Sequence, residues 1–127
     1  MNDNNSKEVR NDKLQEILEL SLLYDFYGEL LGDHKKQIFE DYILNDLSLS
    51  EIADEAGISR QGVYDIVKRC SKKLKEYEEK LCLVKKFQTT KDKINQIKEI
   101  SELIRVTNDV KRVIEIEQIS EEILNDL

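Results

Sequence analysis

LSLSEIADEAGISRQGVYDIVKR, residues 47–69, carries two helix-start signals on either side of a glycine. Ser48 and Glu51 have the spacing of a capping box, which opens a short helix. Gly57 suits the left-handed residue that commonly ends a helix, and Ser59 can cap a second helix. The order of helix, glycine turn and helix predicts a helix-turn-helix.

The second helix of this unit carries the candidate binding face. Its first exposed polar residues are Arg60, Gln61, Tyr64 and Asp65, and each can hydrogen-bond to base edges. Over residues 60–75, six basic side chains outnumber one acidic side chain, a local net charge of +5 in a chain whose net charge is −7. A basic stripe on an acidic protein is typical of one specific nucleic-acid site, or of contact with an acidic protein surface.

The predicted site combines base-reading residues at the start of this helix with phosphate-binding residues further along it. Arg60 and Gln61 would contact bases, and the later lysines and arginine would hold phosphates. The plainer interpretation of the basic residues is a solvated helix face opposite an apolar seam. The predicted nucleic-acid-binding residues are Ser59, Arg60, Gln61, Tyr64, Asp65, Lys68, Arg69, Lys72 and Lys73.

A heptad seam runs along the same helix. Its members are spaced alternately by four and three residues, and they are Val63, Val67, Cys70, Leu74, Tyr77, Leu81 and Val84. The seam predicts a helix that continues from about Arg60 past Leu81 and needs a partner along its far half. That partner is either the C-terminal part of the chain or a second chain, so a homodimer through the 63–84 seam stays open.

Composition and periodicity indicate an all-α fold with a helix-turn-helix core at about residues 48–75, a long second helix and a C-terminal helical extension. The 127 residues contain no proline and four glycines, and 37% are charged. We expect a disordered tail over residues 1–10, a helical domain over 11–84, and a C-terminal helical pair over 85–127 that packs on the long helix or on a second subunit. Gly32 is expected to end the first helix and Asp33 to cap the second.

Other classes of protein find no support in the sequence. No apolar run is long enough to cross a bilayer and the polar start is unlike a signal peptide, so we expect a cytoplasmic protein without a membrane partner. Cys70 and Cys82 match no zinc-site spacing and are interpreted as reduced thiols. His34 is the only histidine and is expected to be a solvent-exposed helix residue. No glycine-rich phosphate loop or nucleophile motif is present, so neither an enzyme nor a cofactor is expected.

Three segments together resemble one family. They are LLYDFYGELL at 22–31, LSLSEIA at 47–53 and GISRQGVYD at 57–65. Their joint occurrence resembles the YlxM family over about residues 14–83, and the chain after Lys85 matches less clearly.

The resemblance implies a small bacterial cytoplasmic helical protein, encoded beside the signal recognition particle GTPase and described as DNA-binding or regulatory. The helix-turn-helix of that family is similar to sigma factor region 4, whose second helix lies in the major groove of promoter DNA. By that similarity Arg60, Gln61 and Asp65 occupy base-contacting positions. Gly62 and the acidic Asp65 depart from the sigma pattern, so promoter recognition itself is not inferred.

Two functions follow as expectations. The first is a non-catalytic DNA-binding regulator that takes part in the signal recognition particle pathway. Its nucleic acid is DNA, or the particle's RNA contacted through shape and phosphates, because an A-form major groove is too narrow for a helix. The alternative is a protein-interaction adaptor that binds the signal recognition particle GTPase or its RNA without sequence-specific DNA binding. The net charge of −7 favours this alternative.

Overall fold

The computed structural model describes residues 3–127, with side chains from residue 5 onward. Within that range the chain forms α-helices and two short 3-10 helices, without a strand, which confirms the all-α prediction. The α-helices are α1 (Asp3–Tyr27), α2 (Asp33–Ile43), α3 (Leu49–Ala56), α4 (Arg60–Leu81), α5 (Leu83–Thr107) and α6 (Val113–Asp126). The 3-10 helices are Gly28–Leu30 and Val110–Arg112.

The helices divide into two compact units. The first unit contains α1 to α4 and ends at Cys82, and the second unit, Leu83–Leu127, contains α5 and α6. Each unit is described separately below.

The core of the first unit forms where α1, α2 and α3 pack against α4. Its most deeply buried side chains are Tyr27, Phe39, Ile52, Leu74, Val63 and Cys70. Burying one large apolar side chain of this kind contributes about 1.5–3 kcal/mol. Two tyrosine hydroxyls of α1 make hydrogen bonds to neighbouring helices at the edge of the core. Tyr24 donates to Glu40 of α2 at 2.5 Å, and Tyr27 donates to Glu78 of α4 at 2.5 Å.

The helix-turn-helix forms through the local chemistry that its sequence predicts. The Glu51 backbone N–H donates to Ser48 Oγ at 3.1 Å, and the Ser48 hydroxyl donates to the Glu51 carboxylate at 3.1 Å. Gly57 ends α3 in the left-handed conformation, with φ at 70°. Ser59 Oγ then accepts from the Gly62 N–H at 3.0 Å at the start of α4. These contacts confirm the two serine caps and the glycine turn. The Glu51 carboxylate accepts from the Ser48 hydroxyl, whereas in a capping box it would accept from the Ser48 backbone N–H.

The long helix is shorter than the seam predicts. α4 ends at Leu81, because Cys82 adopts a left-handed conformation with φ at 54° and its N–H donates to the Glu78 carbonyl at 2.8 Å. The prediction that the helix continues past Leu81 is therefore wrong at this boundary, and Val84 of the seam lies in the next helix.

Helices of the first unit fill most of the seam. Val63, Val67, Cys70 and Leu74 are at most 8% exposed, in the core that α1, α2 and α3 form on α4. The Tyr77 ring then packs on a tyrosine of α1 with their centroids 5.9 Å apart. The helices that precede α4 thus pack on these residues, a filling that was not among the two that the sequence left open.

The N-terminal region differs from the sequence-based expectation. Residues 3–10, expected in a disordered tail, belong to α1, and the side chains of residues 5–10 are exposed. The first two residues of that predicted tail lie outside the described residues. No glycine or proline interrupts this segment, and a helix that has already nucleated gains one hydrogen bond for each residue added.

The connection between α1 and α2 also differs. α1 ends at Tyr27, before the 3-10 helix, and not at Gly32. Gly32 is instead the extended residue before α2, and Asp33 lies within the first turn of α2 without capping it. An acidic side chain in the first turn still interacts favourably with the helix dipole.

The second unit is an antiparallel helical hairpin. The Lys93 ammonium, fifteen positions before Asn108, lies 2.9 Å from the Asp126 carboxylate and 3.7 Å from that of Glu122. The hydrogen bond from Lys93 to Asp126 raises the pKa of Lys93. Asn108, directly after α5, turns the chain with φ at 58°. None of the described helices has the length and apolar character needed to span a membrane.

Candidate nucleic-acid interface

The nine predicted site residues lie on one exposed surface of α4. Ser59 is the residue that caps this helix, and the other eight fall within its first fourteen residues. All nine are exposed, whereas the seam residues of the same helix are buried. This division follows from the helical period, since buried residues at intervals of three and four leave the opposite face to solvent.

The start of α4 presents the predicted base-reading residues Arg60, Gln61, Tyr64 and Asp65, which we call the tip. Arg60 Nη1 donates to Ser50 Oγ of α3 at 3.4 Å, a long contact that is easily exchanged for a ligand. Gln61 Nε2 donates to Asp65 Oδ1 at 3.1 Å, which uses one of the two amide hydrogens and one of the two carboxylate oxygens. The tip therefore keeps both donors and acceptors for base edges, as direct readout requires.

Tyr64 is an aromatic side chain of the tip and is 49% exposed. An aromatic ring with a hydroxyl group can contact a base or sugar through its face and a phosphate through its oxygen. Ser59 has a different task, because its hydroxyl oxygen already accepts from the Gly62 N–H. Its contribution to the site is to position the first turn of α4.

The next two turns carry four cations, Lys68, Arg69, Lys72 and Lys73, which we call the basic stripe. Within the described part of the chain none of the four makes an ion pair or a side-chain hydrogen bond. By contrast, Lys75 just beyond them lies 3.9 Å from the Glu16 carboxylate of α1. Unpaired, exposed cations in a row suit the evenly spaced phosphates of a nucleic-acid backbone.

A cavity of about 300 Å³ adjoins the basic stripe. The first turn of α2 supplies His34 and Lys35 to its wall, and α4 supplies Arg69, Cys70 and Lys73. Lys35 was not among the predicted site residues. The available sequence signal was its position, because a cation in the first turn of a helix is disfavoured by the helix dipole and so calls for a reason.

Cys70 forms the inner wall of this cavity and is 2% exposed. Burial raises the pKa of its thiol, while Lys35 and Lys73 act in the opposite direction. A buried thiol held in its protonated form is a poor nucleophile. Among the described residues, no group of three or more His, Cys, Asp or Glu side chains is arranged to hold a metal ion.

Comparison with known proteins extends the sequence resemblance. A family described as "Putative helix-turn-helix protein, YlxM / p13 like" matches residues 14–119. A UPF0122 protein of Thermoanaerobacter sp. (strain X514) is 48% identical over 112 residues, covering 88% of this chain and 93% of the relative. One of Caldanaerobacter subterraneus is 57% identical over 84 residues, covering 66% and 72%. YlxM of Bacillus subtilis (strain 168) is 41% identical over 102 residues, covering 80% and 93%.

The family match covers more of the chain than residues 14–83, where the sequence motifs placed the resemblance. It continues to residue 119 and so includes all of α5 and the first half of α6. The similarity to this family therefore includes α5 and the start of α6 as well as the helix-turn-helix. The chain belongs to the YlxM / p13-like helix-turn-helix family.

Proposed function

We propose that this protein is a non-catalytic, DNA-binding regulator that contacts nucleic acid through the tip and the basic stripe of α4. The observation that carries the proposal is the basic stripe, four exposed cations on the second helix of a helix-turn-helix that form no described ion pair. Membership of a helix-turn-helix family supports the same function at a coarser level.

The dimensions of α4 suit a helix that enters the major groove at its N-terminal end. Its 22 residues span about 33 Å at a rise of 1.5 Å per residue. With Arg60 and Gln61 against base edges, Lys68 and Lys72 lie two to three turns further on, where a helix leaving the groove meets the backbone. The tip then supplies specificity and the stripe supplies affinity.

The proposed cellular context is the bacterial cytoplasm and the signal recognition particle pathway, and it rests on the family resemblance alone. RNA of that particle is the second nucleic acid to test. The same stripe can follow the phosphates of an RNA duplex, whereas the tip cannot enter its narrow major groove. An RNA ligand would therefore depend on the stripe and be insensitive to the tip.

Capture from the native cytoplasm tests the proposal. The protein is crosslinked in its own cells and recovered beside a Lys68→Glu, Lys72→Glu variant, and the bound nucleic acid is sequenced. We expect DNA fragments that share a short sequence in the wild-type sample and lose enrichment in the variant. Recovery of the same nucleic acid at the same level with both proteins would contradict the proposed use of the stripe.

A protein-interaction adaptor is the second candidate function. The net charge of −7 weakens general attraction to nucleic acid, and the helical hairpin leaves large apolar side chains such as Phe87 and Ile94 about half exposed. In this alternative the basic stripe meets an acidic surface of the signal recognition particle GTPase. Recovery of the GTPase with wild-type protein after complete nuclease treatment, and its loss with the stripe variant, would favour the adaptor over the regulator.

A homodimer through the 63–84 seam has limited support. Four of the seam residues, Val63, Val67, Cys70 and Leu74, are buried in the first unit, and Leu81 is 49% exposed. A dimer would therefore need contacts outside the seam. Sedimentation of the intact protein decides whether such a dimer exists.

A further inference from the structure

The cavity beside the basic stripe brings together cations from two helices. Lys35 comes from the first turn of α2, while Arg69 and Lys73 come one turn apart on α4. Burial raises the pKa of the Cys70 thiol, which lines the same cavity, and the charges of Lys35 and Lys73 both oppose that shift. Residues more than thirty positions apart in the sequence thus place like charges around one space of about 300 Å³.

Three cations, Lys35, Arg69 and Lys73, share the cavity wall with one carboxylate, and the resulting net charge of +2 favours an anion in the cavity. Like charges repel one another, and the positive end of the α2 dipole adds to the repulsion on Lys35. Asp33 is the one carboxylate on the cavity wall. In the described part of the chain Lys35, Arg69 and Lys73 form no ion pair, although the neighbouring Lys36 pairs with Glu29 at 2.6 Å.

The cavity is continuous with the proposed binding surface. Arg69 and Lys73 belong both to its wall and to the basic stripe. A nucleic-acid strand that follows the stripe therefore passes the mouth of the cavity. Lys35 is the residue that extends the cationic surface from α4 to α2.

We propose that this cavity holds one phosphate group of the nucleic-acid backbone, clamped between Lys35 of α2 and the Arg69–Lys73 pair of α4. The inference rests on the proposed function and adds to it a second helix that contacts the nucleic acid. A clamp from two helices fixes the angle at which α4 lies on the nucleic acid, which contacts from α4 alone do not. Lys35 is thus a positioning contact that carries no sequence information.

The test is the salt dependence of nucleic-acid binding by the full chain, comparing Lys35→Gln with Lys13→Gln as the matched control. Lys13 is exposed in α1 and lies on no wall of the cavity, and both changes remove one positive charge. Each phosphate contact contributes about 0.9 to the slope of log K against log salt, which is about eightfold in affinity at about 0.1 M salt. We therefore expect Lys35→Gln to bind every tested duplex about eightfold more weakly than the wild type at about 0.1 M salt, and Lys13→Gln to lose less affinity.

A titration with inorganic phosphate, followed by backbone amide chemical shifts, provides a second measurement. We expect shifts at residues 32–36 and 69–73 in the wild type that disappear in Lys35→Gln. Equal salt slopes for Lys35→Gln and Lys13→Gln would overturn the proposal. If inorganic phosphate binds but the slopes are equal, the cavity takes a free phosphate group and the backbone assignment is wrong.

The outcomes also separate this inference from the proposed function. If the double variant Lys68→Glu, Lys72→Glu abolishes binding while Lys35→Gln behaves as the control, the proposed function is supported and the phosphate site in the cavity is overturned. If the wild type binds no nucleic acid at low salt, both fail.

Discussion

At the scale of single residues, Gly28 packs closely against an aromatic ring of the first unit. A Cβ at this position would lie 2.7 Å from Cε2 of Tyr24. The Tyr24 ring cannot easily move away, because it packs on Phe39 at a centroid distance of 5.6 Å and its hydroxyl donates to Glu40. The absence of a side chain at Gly28 is therefore a packing requirement.

We predict that Gly28→Ala lowers the free energy of unfolding by about 1–3 kcal/mol, the usual cost of overpacking a core. Urea denaturation of the full chain measures the change. Gly32→Ala is the matched control, because a Cβ there meets nothing within 4 Å and the residue has an ordinary negative φ. Equal stability of the two variants would contradict the packing described around Tyr24.

Tyr24 also makes the free energy of unfolding depend on pH in the alkaline range. Burial, and secondarily the hydrogen bond to Glu40, raise the pKa of the Tyr24 hydroxyl above its usual value. The folded state then retains a proton that the unfolded state releases at about pH 10, so stability falls as the pH rises above that value. One such group contributes at most about 1.4 kcal/mol per pH unit to this fall.

We expect Tyr24→Phe to be less stable than the wild type at neutral pH and to lose stability less steeply above about pH 10. Urea denaturation at several pH values between neutrality and about pH 11 measures both slopes. The phenylalanine keeps the ring contact with Phe39 and removes only the titrating group. Parallel curves for the two proteins would show that Tyr24 is not the group responsible.

At the scale of the element, the start of α4 depends on Ser59. Its hydroxyl satisfies the Gly62 N–H, one of the amides that a helix start leaves without an intrahelical partner. We predict that Ser59→Ala costs about 1 kcal/mol of stability and that Ser59→Asn restores most of it, because asparagine caps as well as serine. Thermal or urea unfolding provides the measurement. If Ser59→Asn is destabilised as much as Ser59→Ala, the capping role of Ser59 is contradicted.

Features set by neighbouring residues could be predicted from the sequence. The caps at Ser48 and Ser59 and the left-handed Gly57 each follow from the chemistry of a few adjacent residues. The end of α4 could not be predicted in this way. Cys82 is not a residue that usually takes a left-handed conformation, and the heptad pattern continues through it to Val84.

The exposed basic face of α4 was predictable in part for the same reason. The helical period alone determines that Lys68 and Lys72 are exposed once the seam is recognised. The approach of Lys35 to Lys73 depends on how α2 packs against α4, which periodicity does not specify. The filling of the seam by preceding helices is a tertiary property of the same kind.

At the scale of the whole molecule, the two units differ in how much they bury. The fully buried side chains of the described chain all lie in α1 to α4, and Val84 is the one buried residue of the second unit. Its hairpin is held in part by the exposed pairs that Lys93 makes with Glu122 and Asp126. Surface ion pairs add little stability and weaken in salt.

We therefore expect native-state hydrogen exchange to show two levels of protection. Amides of α4 near Val63 and Leu74 should exchange only through global unfolding, and those of α6 through a smaller, local opening. Lys93→Gln should speed exchange in α6 and leave α4 unchanged. Equal protection of α4 and α6 in the wild type would contradict a difference in stability between the units.

The central claim is that the basic stripe of α4 binds nucleic acid, and salt-dependent affinity tests it most directly. Genomic DNA fragments and cytoplasmic RNA from the source cells are titrated with three proteins. These are the wild type, a stripe variant that carries both Lys68→Glu and Lys72→Glu, and a control that carries both Lys98→Glu and Lys111→Glu. The control reverses two exposed lysines of the hairpin and so has the same net charge as the stripe variant. We predict that the stripe variant alone loses most of its affinity and about 1.8 of its salt slope. Unchanged binding of the stripe variant to both nucleic acids at low salt would contradict the claim.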